Sequence, residues 1–307
     1  MNTGIEFGLC LLWAIFAGLA AWYCIQVLRQ VTYVTLADGR RQERLIPFMF
    51  RLLFPLAPNL VPLFRRPTFE KNNAIVSKKL VAAGFGGLLS SEEFLAMKVL
   101  LPSVLGLMLS ALIMAMIATL HGKIGQVLQR HEVPLIMMIL LWFYAYPGLW
   151  LRRVLADRHG RIQKSLPFVL DLLTLSVEAG LDFMSAMQRI VERGKVDALG
   201  EELLRVLREI QLGKTRRNAL RDMSERVDQP DMRSVMNALV QADELGVGIA
   251  SILRIQSDQM RQRRFERAEK MANEAPVKML FPLVAFIFPA VFLVLLGPIV
   301  LQIIRQI

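Results

Sequence analysis

Apolar and polar residues follow two different rhythms along this chain. Four stretches carry no charge for long enough to cross a hydrocarbon core, which takes about 20 residues of helix. They are Phe7–Leu28, Val99–Leu120, Val133–Leu151 and Met279–Ile304. Between the third and the fourth, apolar positions recur at three- and four-residue intervals instead, the period of amphipathic helices. The spacing there predicts an all-α bundle of six short to medium helices. "SLPFVLDLLTLSVEAG" opens with Ser165 as N-cap and Pro167 in the first turn, stops at Gly180, and puts Leu166, Leu170, Leu173 and Val177 on one face. "LDFMSAMQRIVERG" starts again on Asp182 as a cap and buries Phe183, Met187 and Ile190. "EELLRVLREIQLG" aligns Leu203, Leu207 and Ile210 and ends at Gly213. Thr215 caps "RRNALRDMSERV", Asp228 to Pro230 open "DMRSVMNALVQADELG", and Gly246 closes it. A last, longer helix runs from about Gly248 to Ala275. No alternating strand pattern competes in this region.

The first apolar run has no basic segment before it and no small-residue cleavage site after it, so it reads as a retained anchor. A fifth apolar stretch, Leu45 to Phe64, is broken by Arg51 and by Pro47, Pro55, Pro58 and Pro62. It is too interrupted to span, and reads as interfacial or packed against the soluble part. Further on, "SKKLVAAGFGGLLSSEEFLAMK" predicts two short helices around a glycine turn, the second capped by Ser90 or Ser91 and leading into the second span.

Charge sets an orientation. The 37 Lys and Arg against 26 Asp and Glu give +11, in a chain that is 54% hydrophobic with a mean hydropathy of +0.43. Such a balance fits a membrane protein whose charges are segregated. The basic residues concentrate in 29–98 and 152–278, while His121 to Glu132 holds only Lys123 and Arg130. The positive-inside tendency then puts the two large segments in the cytoplasm and both termini outside. Acidic residues are mixed through 152–278 and no aromatic-rich basic pattern appears, which points to anionic membrane lipid and not to nucleic acid. Cys10 and Cys24 lie fourteen residues apart in the first span, roughly 21 Å along a helix, too far for a disulfide.

Reactive chemistry is hard to find. "LGKTRRNA" contains the GKT of a phosphate loop, but Arg208 stands where that loop needs glycine. "AGFGGL" at Ala83 lacks a preceding strand and the dinucleotide spacing. His121, His131 and His159 have no partner at metal-ligand spacing, so no metal or cofactor is expected. The four spans hold no Asp or Glu, apart from Glu6 at the edge of the first, which argues against an intramembrane acid protease and an ion-coupled transporter. No catalytic residue emerges, and a non-enzymatic role is expected. Glu178, Asp243 and Glu244 sit at helix C-terminal ends, where a negative charge opposes the helix dipole. They are therefore expected to pair with a base, inside the bundle or on a partner. Arg261, Arg263, Arg264, Arg267 and Lys270 make the distal half of the last helix basic where it approaches the membrane. Pro276 can start a new helix there and Lys278 can reach headgroups, joining bundle to anchor as a nearly continuous stalk.

"SLPFVLDLLTLSVEAGLDFMSAMQRI", "LREIQLGKTRRNALRDMSERV", "LVQADELGVGIASILRIQSDQMRQRR" and "PVKMLFPLVAFIFPAVFLVLLGP" resemble, in that order, the type II secretion system F domain, from about Leu166 to Pro298. Within that superfamily the "SVEAGL" block, the single bundle and the four spans look most like the TadC-type platform of the tight-adherence (Tad, or Flp) pilus, with the TadB-type sister platform or a type II secretion platform protein as the alternative. The resemblance implies a non-enzymatic inner-membrane platform that couples a cytoplasmic secretion ATPase to extraction and polymerisation of pilin subunits. It further implies association with itself or with a sister F-domain platform protein. The matching positions are Pro167, Glu178, Gly180, Leu181, Gly213, Ala219, Leu220, Glu244, Gly246, Lys278, Pro282, Pro289, Gly297 and Pro298, all with structural or contact roles. Asp182, Arg217, Asp243 and the four stalk arginines Arg261, Arg263, Arg264 and Arg267 join Glu178 and Glu244 as expected partner or inter-bundle contacts. Residues 29–98 depart from the two-bundle pattern of the larger family members. The expected organisation is transmembrane helix 1 (1–28), a cytoplasmic helical segment (29–98), helices 2 and 3 with a short periplasmic loop (99–151), the cytoplasmic bundle with its stalk (152–278) and helix 4 (279–307).

Overall fold

The computed structural model describes residues 33–35, 41–43, 46–65, 67–119, 132–194 and 197–306. The apolar run Phe7–Leu28, with both cysteines, lies outside the described residues, as do His121 and His131. Among the described residues the chain is helical except for a six-residue antiparallel hairpin, β1 (Tyr33–Thr35) and β2 (Arg41–Glu43).

The proline-rich stretch folds as α1 (Phe48–Leu53), a 3-10 turn (Phe54–Leu56) and α2 (Ala57–Phe64). It packs Phe50, Leu53 and Ala57 into a small core with α3 (Glu70–Ala82) and α4 (Ser91–Leu100). Ser90 is the cap of α4: its hydroxyl accepts from the Glu93 N–H while the Glu93 carboxylate accepts from the Ser90 N–H. This reciprocal pair satisfies two amides the first turn would leave bare.

From α4 the helix continues through a π-helical turn (Leu101–Gly106) into α5 (Leu107–Thr119). Pro102 cannot donate to the ladder, and the Ser103 hydroxyl beside it donates to the Val99 carbonyl at 2.9 Å. The next helix, α6 (Glu132–Glu178), lies against this span, with the buried Gly106 at the crossing. A Cβ on Gly106 would stand 2.9 Å from the tip of Leu140, so a side chain there would make the Leu140 tip shift.

The bundle comprises the distal part of α6 with α7 (Phe183–Arg193), α8 (Ala198–Gln211), α9 (Arg216–Val227), α10 (Pro230–Leu245) and the start of α11 (Ile249–Pro282). Leu166, Leu170, Leu173, Phe183, Met187, Leu203 and Leu207 are core residues as the spacing predicts, and Val177, Ile190 and Ile210 pack partly buried around them. Asp182 accepts from the Met184 N–H and Thr215 from the Asn218 N–H, the two expected caps. Gly180, Gly213 and Gly246 end their helices at φ of +91°, +97° and +66°, the left-handed region that glycine adopts at least cost.

Two expectations are corrected. Ser165 is not an N-cap and Pro167 is not in a first turn. Both lie inside α6, a single helix of 47 residues, about 70 Å long. The Ser165 hydroxyl donates to the Arg161 and Ile162 carbonyls instead. Arg158, Ile162, Leu166, Leu170 and Leu173 form one unbroken buried stripe at three- and four-residue spacing. Burial of that stripe outweighs the hydrogen bond lost at Pro167. Likewise, the last bundle helix does not stop at Ala275 with a new start at Pro276. α11 runs through Pro276 to Pro282, then through a π turn (Leu283–Ile287) into α12 (Phe288–Gln306). Pro282, Pro289, Gly297 and Pro298 therefore sit within one helical column.

Three described helices are long and apolar enough to cross a membrane: Ser91–Met114, Glu132–Glu178 and Ile249–Pro298. The bundle thus hangs between two of them, α6 entering and α11 leaving.

Candidate functional site: the polar seam between the long helices

α6 and α11 run antiparallel along one side of the bundle. Arg254 donates to Glu178 at 2.8 Å, and Arg261 to Asp171 at 2.9 Å. Each helix advances seven residues between the two pairs, two helical turns, so the register is held without slippage. Ser257 also donates to Asp171. Burial pushes the Asp171 carboxyl up, but the Ser257 and Arg261 hydrogen bonds and the Arg261 charge outweigh it and hold the group below its ordinary value.

Nearer the membrane the seam takes in α10. Asp231, buried in its first turn, accepts from Gln163 of α6 at 2.8 Å, from Arg263 of α11 at 3.1 Å and from Arg267 of α11. Burial again opposes ionisation, and Gln163, Arg263 and Arg267 together bring the Asp231 carboxyl below its usual range. One carboxylate thus ties both membrane-entering helices to the bundle. Its place at a helix N-terminus further favours the charge.

A second network lies deeper. Arg158 of α6 is 2% exposed and donates to Glu201 at 2.8 Å and to Glu202 at 2.9 Å, both on α8. Arg226 of α9 bridges Glu202 and Glu209, and Lys214 bridges Glu209 and Asp222. The hydrogen bonds to Asp222 and Glu209 raise the Lys214 pKa. The adjacent His159 Nε2 is 2.7 Å from the Val227 carbonyl. The outer face of the same region meets the N-terminal unit through Lys78 and Asp228, 3.5 Å apart.

The acids expected to make contacts all find a base within the bundle. Glu178 pairs with Arg254, Asp243 with Arg217 at 3.0 Å, Glu244 with Arg221 at 3.6 Å, and Asp182 with Arg216 at 3.7 Å. Arg261, Arg263 and Arg267 serve the seam, and Arg264 has no ion-pair partner among the described residues. Lys278 pairs one turn back with Glu274. Sequence reasoning passed over Arg158, Glu201, Glu202, Asp171 and Asp231. The available signal was Arg158 itself, a charge in phase with the apolar stripe, which demands a buried counter-ion. Among the described residues no group of three or more His, Cys, Asp or Glu could hold a metal ion.

A helical bundle bolted between two helices that continue into apolar spans is the architecture of a membrane-anchored interaction module. Residues 169–297, from the last turns of α6 into α12, match the family model described as type II secretion system (T2SS), protein F. The match supports a place among the platform proteins of type II secretion and type IV pilus-like machines and fits a multi-pass inner-membrane protein. No curated protein and no solved structure matches the chain.

Proposed function

We propose that this chain is the TadC-type inner-membrane platform of a Tad (Flp) pilus machine, coupling a cytoplasmic secretion ATPase to extraction and polymerisation of pilin subunits. The observation that carries the reading is the protein F match over 169–297, which coincides with a single bundle continuous with its membrane helices. A force applied to the bundle passes through about 70 Å of α6 and about 50 Å of α11 with no flexible joint between. The seam at Asp171 and Asp231 is what keeps the two levers in register. In this reading the bundle and the N-terminal unit face the cytoplasm, where the basic residues lie. The protein acts without catalysis of its own, as an oligomer with itself or a sister platform. The four-span topology with both termini periplasmic belongs to the same proposal.

The test is mild cross-linking in native membranes, affinity purification of the tagged chain and mass spectrometry of the proteins that co-purify with it. Recovery of a secretion ATPase and a second F-domain protein is expected. Efficient cross-linking that recovers neither sinks the platform role. Arg264→Glu sharpens it: piliation should fall while the bundle stays folded, because Arg264 takes no part in the seam. Reversing Arg261, Arg263 and Arg267 as well should abolish piliation and loosen the bundle together.

A further inference from the structure

The proline-rich stretch α1–α2 carries one charged side chain, the half-buried Arg51, and is otherwise apolar among its described side chains, with only one face covered. Phe50, Leu53 and Ala57 are buried in the core shared with α4 and α6, and Phe64 is buried against Phe69, whereas Phe48 (39% exposed), Pro55, Pro62 and Leu63 (44% exposed) point outward. The position at which the stretch is held decides what covers that second face. The Phe50 ring lies 5.0 Å from Trp150 and 6.4 Å from Tyr146, two aromatic residues at the end of the third span. Exposed Arg152 and Arg153 come immediately after on α6. Tyr and Trp belong at the headgroup level and arginines just beyond it, so these four residues mark the membrane surface. With a rise of 1.5 Å per residue, a ring touching both Trp150 and Tyr146 sits about 3 to 9 Å on the hydrocarbon side of Arg152. That is the depth at which surface-lying apolar helices bind, roughly 5 to 10 Å into the headgroup and acyl boundary.

We infer that Phe48–Phe64 is a membrane-surface foot, seated in the lipid of the leaflet on the bundle side, with Phe48 and Leu63 inserted at the boundary between headgroups and acyl chains. The prolines serve this placement: they break the stretch into α1, the 3-10 turn and α2, so it lies along the surface and does not span. The foot also gives the N-terminal unit a role. It grips the end of the third span by its inner face and lipid by its outer face, while α3 reaches the bundle through Lys78 and Asp228. The bundle is thereby held at a set height above the bilayer. This lipid contact stands apart from any secretory role.

The experiment uses the full chain with Cys10 and Cys24 replaced by alanine, reconstituted in phosphatidylcholine vesicles. Single cysteines at Phe48, Leu63, Met137 and Leu212 carry an environment-sensitive fluorophore, with lipids bearing a nitroxide at a shallow or a deep acyl position as quenchers. Met137, 66% exposed on the third span, reports lipid contact. Leu212, 82% exposed, precedes the turn where Arg216 meets Asp182 at the far end of the bundle, about 40 Å from Arg152 along α6, and reports water. The expected result is loss of fluorescence at Phe48 and Leu63 with both quenchers, greater with the shallow one, and none at Leu212. Labels at both positions behaving like Leu212 would overturn the inference. So would labels shielded from lipid quenchers and from aqueous iodide alike, since the face would then be covered by protein. Chromatographic profiles matching the parent protein establish that each labelled variant is folded.

Discussion

Arg158→Ala is the most demanding test of the buried network. The Arg158 side chain is 3% exposed, and those of Glu201 and Glu202 are 7% and 6% exposed. Removing the guanidinium takes away the base that the two carboxylates share in a dry interior; Glu202 keeps Arg226 at 3.3 Å, and Glu201 keeps its other contact. Breaking a buried ion pair by deleting one partner costs about 3 to 5 kcal/mol, chiefly the desolvation left uncompensated. Opening of α8 and α9 should then become roughly one hundred to four thousand times more populated, each 1.4 kcal/mol being tenfold. Amide hydrogen exchange of Ala198–Gln211 and Arg216–Val227, measured in detergent, reads that population directly. Replacing the whole unit, Arg158→Met with Glu201→Leu and Glu202→Gln, should restore most of the protection, since no buried charge is then stranded. A loss of protection below about tenfold in Arg158→Ala would refute this account of the network, because a 1.4 kcal/mol effect is within reach of lost packing alone.

Gly246→Ala should destabilise by about 1 to 2 kcal/mol, and Gly246→Asn by less, as Asn tolerates the left-handed conformation better; a Cβ meets nothing within 4 Å, so the cost is backbone alone, and chemical denaturation of the two variants compares them. Stability of the bundle should be flat across neutral pH. Asp171 and Asp231 are depressed, so their contribution is complete above the unfolded carboxylate value of about 4 and is lost as pH falls through their lower folded values. Lys214 is raised, so its contribution is complete below about 10.5 and lost above. Exchange protection measured from pH 3 to 11 (about one value per unit) checks this, with Asp231→Asn expected to flatten the acid limb.

Much of this molecule was determined by local pattern. The apolar runs, the three-and-four spacing of Leu166, Leu170 and Leu173, the caps Asp182, Thr215 and Ser90, and the glycine stops all depend on residues within a turn or two of each other. Such signals survive in one dimension because the hydrogen bonds and faces they specify are themselves local. The resemblance over Leu166 to Pro298 likewise rests on blocks in chain order. Where local signals mislead, at Ser165 and Pro276, a proline reads as punctuation and a distant surface decides otherwise. The buried stripe through Arg158 and Ile162 carries α6 across Pro167, and Pro276 passes inside an unbroken α11. The seam was not legible at all. Asp171 meets Arg261 ninety residues later, and Arg158 meets Glu201 and Glu202 across the bundle. Charge pairs of that kind depend on the angle and register at which two helices are packed, and neither is encoded in the spacing of either helix alone. The foot is the same lesson in another solvent: composition left Leu45 to Phe64 between two readings, and only the contact of Phe50 with Trp150 set the depth at which its outer face must meet lipid.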